Sequence, residues 1–194
     1  GLGQSCANTA RPLLAHVSTH HAARDMDILR ATLGEEKLTY LGKSYGTYLG
    51  TIYADLFPEQ VGRMVLDGVV APDLTAEEIN LGQAKGFERA TREWAAYCVE
   101  EGDCPLGTSV DEVMEGLRAF LLAVDSNPLP RTGDNAVPQL TEGWASLGIA
   151  AAMYDQGQWR TLVDSMAEAL KGDGTSLMQL ANQYADRNPG GQYA

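Results

Sequence analysis

Residues 42–46 read Gly-Lys-Ser-Tyr-Gly, directly after the apolar run Leu38-Thr39-Tyr40-Leu41. A serine with a glycine two positions to either side, between a strand pattern and a helix pattern, has the composition of a nucleophile turn. The reason is steric. A chain that turns this sharply from strand into helix leaves no room for a Cβ at those two positions, and the turn lifts the hydroxyl clear of the sheet's C-terminal edge. Ser44 is therefore the candidate nucleophile, with Gly42 and Gly46 as the glycines that admit the turn. The backbone N–H of Tyr45 falls at the start of the next helix, where it can donate to a developing oxyanion and where the helix dipole favours the same negative charge. Gly50 adds a further small position along that helix. Lys43 is not expected to act as a base, because adjacent residues in such a turn point apart.

A serine hydroxyl needs a general base, and the base needs a carboxylate to orient it. The histidines are His16, His20 and His21, and all precede Ser44. In folds built around this turn the order is serine, acid, histidine, so the base is expected after Ser44. His20 and His21 read as solvated residues of a first helical turn, and His16 as a loop residue. Asp67, closing "MVLD", is a possible acid but reads more simply as a strand-end residue.

The elements that must hold the serine follow from periodicity. Ala22, Met26, Leu29 and Leu33 recur at helical spacing, which predicts a helix over 19–33 with Ser18 or Thr19 as N-cap and Gly34 as its stop. Residues 1–18 read as irregular. "KLTYLG" predicts a strand running straight into the turn. A second helix carries Tyr45, Tyr48, Leu49, Ile52, Tyr53 and Leu56 until Phe57-Pro58 ends it. "RMVLDGVV" is apolar enough to predict a buried strand. Strand, helix, strand at this spacing makes a βαβ unit and implies a parallel sheet. After Pro72 the pattern becomes helical, over 75–101, 109–125, 141–154, 158–171 and 174–186, with no strand pattern between. The tail "DRNPGGQYA" reads as a loop. The predicted architecture is α/β, a partial core over 1–72 followed by an all-helical domain over 73–194 that is incomplete at its C-terminal end.

Composition narrows the partners. The 194 residues carry a formal net charge of −12 and a pI of about 4.5. That argues against nucleic acid and anionic membranes, which require basic surface. No apolar stretch approaches the roughly 18 residues of a membrane span. Cys98 and Cys104 are close enough to close a short disulfide loop, for which chain entropy gives about 2 kcal/mol. No nearby histidine or further cysteine completes a metal site, so neither metal nor cofactor is expected. Cys6 is left over, which suggests a partner elsewhere. Trp94, Trp144 and Trp159 read as core of the helical part.

The stretch "HHAARDMDILRATLGEEKLTYLGKSYGTYLGTIYADLFPEQVGRMVLDGVVAP" resembles the α/β-hydrolase peptidases that include tripeptidyl aminopeptidases and proline iminopeptidases, the secreted bacterial tripeptidyl aminopeptidases above all. "LTEGWASLGIAAAMYDQGQWRTLVDSMAEALKGDG" resembles the helical cap of that group, and the cysteine pair falls in cap sequence too. The resemblance implies an α/β-hydrolase core with a cap that narrows access to Ser44, an acyl-enzyme on that serine, and peptide substrates with a free N-terminus. Such an ammonium needs a carboxylate; Glu77, Glu78, Glu88, Glu93 and Asp155 are available, with nothing to choose among them. It also implies a secreted or cell-envelope location.

Two strands cannot make a covered doubly wound sheet, and the base, the acid and the second oxyanion donor are missing. The expectation is an internal piece of a longer hydrolase, inactive by itself. Its catalytic Asp and His would come from sequence outside these residues or from another chain. An esterase on the same scaffold, a hydrolase-like binding protein with a decayed triad, and a folding half assembled with a partner chain are the competing readings.

Overall fold

The computed structural model describes residues 2–133, 137–188 and 192–193. These divide into two compact units, Gly1–Leu81 and Gly82–Ala194.

The first unit opens with α1 (Leu2–Thr9) and α2 (Arg11–Leu14), where the sequence predicts irregular chain. Both are short and largely exposed, so no apolar stripe announces them. Helix α3 (Thr19–Thr32) starts where predicted. Ser18 is its N-cap, with the side chain accepting from the His21 N–H at 3.3 Å, and Gly34 turns the chain away at φ +75°. Strand β1 (Leu38–Lys43), helix α4 (Tyr45–Leu56) and strand β2 (Val61–Asp67) form the expected βαβ unit, with β1 and β2 parallel. Phe57 and Pro58 end α4 and open a single tight 3-10 turn.

The pleat of this sheet decides which residues meet α4. Gly42 pairs with Leu66 and Leu41 with Val65. Side chains alternate across a strand, so Tyr40, Gly42 and Leu66 share the face under α4, while Leu41 and Val65 share the other. A Cβ on Gly50 would lie 2.8 Å from Tyr40 Cε1 and 2.9 Å from Leu66 Cδ2, which shows how closely the helix lies on that face. The opposite face is open: Leu41 and Val65 are 61% and 60% exposed. The expectation of a buried second strand is thus corrected, because among the described residues the apolar run has a covering helix on one side only. Helix α3 is joined to α4 by fully buried Tyr53, whose hydroxyl donates to Asp27 Oδ1 at 3.0 Å. Arg30 Nε donates to the same oxygen at 2.7 Å, and this guanidinium, more than Tyr53, holds the Asp27 carboxyl below its usual range.

Helix α5 (Ala76–Glu100) begins in the last residues of the first unit, and the second unit holds the rest of it with α6 (Val110–Ser126), α7 (Glu142–Ala152), α8 (Trp159–Ala169) and α9 (Thr175–Tyr184). A small antiparallel pair, β3 (Leu129–Pro130) and β4 (Gln139–Leu140), escaped the sequence reading because two residues show no alternation. The start of α5 is set by a reciprocal cap: Thr75 N–H and Oγ1 donate to Glu78 Oε2, and the Glu78 N–H donates back to Thr75 Oγ1. The core gathers Trp94, Leu117, Phe120, Leu140, Leu162, Met166 and Leu177, with Trp144 and Trp159 packed against it. Helices α7 and α9 approach so closely that a Cβ on Gly148 would meet the Leu177 carbonyl oxygen at 2.5 Å. The end of the chain, read as a loop, falls partly outside the described residues; within them Arg187 bridges Tyr193.

Cys98 and Cys104 are bonded, and Cys98 is fully buried. Asp103, inside the loop they close, takes both prongs of Arg160 from α8, at 2.9 and 2.8 Å. That guanidinium holds the Asp103 carboxyl below its usual range, and Asp103, followed by Asp164, raises the Arg160 guanidinium in turn. A C98A/C104A double variant removes the covalent restraint on the unfolded chain. It is expected to lose about 2 kcal/mol, read as a lower denaturation midpoint of this unit; an unmoved midpoint would show that the Arg160 clamp alone suffices.

Candidate active site at the β1–α4 turn

Ser44 sits at φ 51° and ψ −119°. This is the backbone of the first central residue of a type II′ turn, which favours glycine. A serine held there costs roughly 1–3 kcal/mol and persists only where the surroundings over-determine it. The surroundings can be named. The Ser44 N–H donates to the Asp67 carbonyl at 3.0 Å, at the end of β2. The Ser44 carbonyl accepts from the Thr47 N–H at 2.9 Å and from Thr47 Oγ1 at 2.6 Å. Both backbone polar groups of Ser44 are thereby committed, while the residue itself is exposed at the C-terminal end of the two strands.

The two glycines are not equally crowded. A Cβ on Gly42 would lie 2.5 Å from the Gly46 carbonyl oxygen and 2.7 Å from Tyr40 Cε1. A Cβ on Gly46 would lie 3.2 Å from the Tyr40 hydroxyl. That hydroxyl donates to the Gly46 carbonyl at 2.7 Å, and burial pushes the phenol upward, so it stays a donor. Tyr40 is thus the strut under the turn, and the sequence reading missed it. The signal was its place two residues before Gly42, on the same sheet face. Thr47, also missed, is fully buried.

Tyr45 begins α4, so its N–H is among the helix donors with no acceptor inside the helix. Its ring is exposed, stacks on Tyr48 at 6.2 Å between centroids, and its hydroxyl lies 2.8 Å from Thr19 Oγ1.

No histidine ring is hydrogen-bonded to Ser44 among the described residues. His21 Nδ1 lies 2.8 Å from Ser18 Oγ, and the His16 ring meets His21 edge-on at 5.2 Å. Asp67 reaches Ser44 through its backbone carbonyl, and its side chain is exposed. Of the carboxylates considered for an ammonium, Glu78 is spent on the α5 cap, Glu88 pairs with Arg92 at 3.0 Å, and Asp155 accepts from the Gly157 N–H at 2.9 Å. Glu77 and Glu93 are exposed on α5. A cavity of about 370 Å³ opens between α5, α6 and α7, lined by Phe87, Met114, Leu121 and Met153 among others. One of about 570 Å³ opens beside α3 and β1 at Met26, Leu33, Tyr40 and Arg63. Neither is lined by Ser44. No helix among the described residues is long and apolar enough to cross a membrane.

Residues 1–129 match the family described as alpha/beta hydrolase fold. The chain is 37% identical over 196 residues to "Serine protease Hip1" of Mycobacterium tuberculosis (strain ATCC 25618 / H37Rv), covering 99% of this chain and 38% of that protein. It is 35% identical over 178 residues to "Tripeptidyl aminopeptidase" of Streptomyces lividans, covering 86% of this chain and 33% of that protein. It is 34% identical over 196 residues to "Carboxylesterase B" of Mycobacterium tuberculosis (strain CDC 1551 / Oshkosh), covering all of this chain and 37% of that protein. The chain therefore spans less than two fifths of the length of these curated relatives.

Proposed function

The chain belongs to the α/β-hydrolase fold family, and on that premise we propose that it carries the nucleophile of a serine exopeptidase, an aminopeptidase releasing short peptides, tripeptides foremost, from free N-termini. The observation that carries this reading is the Ser44 backbone, held in a glycine-favouring conformation at the N-terminus of α4 in an exposed residue. Such strain at a strand-to-helix turn is what presents a serine for attack. Ser44 Oγ adds to the substrate carbonyl as its proton passes to a general base, the Tyr45 N–H receives the oxyanion, and the C–N bond breaks as that base gives the proton to the leaving amine, leaving an acyl-enzyme that water hydrolyses. The base that takes the Ser44 proton and the acid that orients it come from sequence outside these residues. Residues 1–72 are then part of the hydrolase core and 73–194 its helical cap. The Cys98–Cys104 disulfide supports an oxidising, extracytoplasmic setting.

The likeness to a carboxylesterase favours an esterase as the second reading, because the turn itself does not distinguish amide from ester. The test uses the full-length parent protein. Fluorophosphonate is expected to modify the peptide containing Ser44, and tripeptide arylamides with a free amine to be cleaved faster than N-blocked ones. Turnover of short acyl esters with no cleavage of free-amine peptides would make it an esterase. An unmodified Ser44 in folded protein would leave the hydrolase-like binding protein as the reading.

A further inference from the structure

The strained turn is tied to the rest of the sheet through one side chain. Thr47 lies in the first turn of α4 and is fully buried. A hydroxyl has one proton to give and lone pairs to accept with, and Thr47 uses both capacities. Oγ1 donates to the Ser44 carbonyl at 2.6 Å and accepts the Val70 N–H at 2.8 Å. Val70 lies just beyond β2, after Gly68, which takes φ +70° to turn the chain away from the strand. The Ser44 N–H is meanwhile bonded to Asp67 at the end of the same strand.

Ser44 is thus held at its N–H by the last residue of β2 and at its carbonyl by a hydroxyl anchored to the turn after β2. Without the Thr47 hydroxyl, the Ser44 carbonyl keeps only the Thr47 N–H, and the Val70 N–H loses its acceptor. The backbone of Ser44 can then relax from its strained conformation, which moves the nucleophilic oxygen.

We propose that Thr47 is a positioning residue, its buried hydroxyl locking the Ser44 backbone to the turn that follows β2. The inference rests on Ser44 being the nucleophile. The side chain touches no reacting atom; it acts through the backbone of the serine. Small displacements of a reacting group cost up to about a hundredfold in rate, so the effect belongs in kcat and in the reactivity of Ser44, with substrate binding spared.

The experiment compares Thr47→Val, Thr47→Ser, Thr47→Cys and Ser44→Ala in the full-length parent. It measures the rate of fluorophosphonate labelling at Ser44, and kcat and KM on whichever arylamide or ester the parent turns over best. Thr47→Val, close in shape but without the hydroxyl, is expected to slow labelling and kcat by about tenfold to a hundredfold, with KM within about twofold. Thr47→Ser, which keeps the hydroxyl and loses the methyl, is expected to stay within about threefold of the parent in both rates. A folded Thr47→Val protein that labels at the parent rate overturns the proposal. So does Thr47→Ser as slow as Thr47→Val, since that would place the effect in the packing of the methyl. Should Thr47→Val not fold, the comparison passes to Thr47→Cys, whose thiol is a weak donor, against Thr47→Ser; equal rates in that pair overturn it. Ser44→Ala separates the two levels. If that variant keeps activity, the assignment of the nucleophile fails and the positioning role fails with it. If it is inert while Thr47→Val is as fast as the parent, only the positioning role fails.

Discussion

Ser44→Ala, made in the full-length parent, is expected to lower kcat by about 10⁴- to 10⁶-fold and to abolish the fluorophosphonate adduct on the peptide spanning residues 42–46. The loss is that large because alanine removes the covalent step itself, leaving only binding and oxyanion stabilisation. The fold should survive, since the three hydrogen bonds that pin residue 44 to Asp67 and Thr47 use its backbone alone. Activity within tenfold of the parent would take Ser44 out of the chemistry. An adduct on any other peptide would name its replacement.

The second large effect is expected at Gly42. A methyl group there would lie 2.5 Å from the Gly46 carbonyl oxygen, 2.7 Å from the Gly46 carbonyl carbon and 2.7 Å from Tyr40 Cε1. Two of those atoms are backbone, so no rotamer change relieves the clash and α4 must move off β1. Gly42→Ala is expected to destabilise the protein by about 1–3 kcal/mol and to reduce kcat by about a hundredfold through displacement of Ser44. Gly46→Ala is the control, because its Cβ meets only the Tyr40 hydroxyl, at 3.2 Å. Its effect on melting temperature should be the smaller of the two. Equal melting of Gly42→Ala and the parent would refute the close packing of helix on strand described above.

What the sequence made legible was local. The strand-to-helix turn at residue 44, the Ser18 cap and the stop at Phe57-Pro58 are each decided within a few residues, and each lies where local physics puts it. Helices α5 to α9 were legible because their apolar stripes run for several turns. The misses share a different cause. The exposure of Val65 and Leu41 depends on what covers the far face of the sheet, which no strand encodes in its own composition. The β3–β4 pair depends on a partner, not on a pattern. Tyr40 and Thr47 matter through contacts to Gly46, Ser44 and Val70 that only the folded turn creates. The base and the acid belong to another case: the nucleophile proposed at Ser44 asks for both, and the histidines here precede it in the chain.

The positive φ at Ser44 sets stability against the nucleophilic role proposed for that residue. By backbone preference alone position 44 asks for glycine, which would enter this conformation without the roughly 1–3 kcal/mol that serine costs. Only a side chain bearing a nucleophile can do the chemistry proposed here, so selection for activity keeps in place the residue that selection for thermostability would discard. Thermostabilising substitutions in this protein should therefore be sought away from residues 40–47, where greater stability can be gained without relaxing the turn.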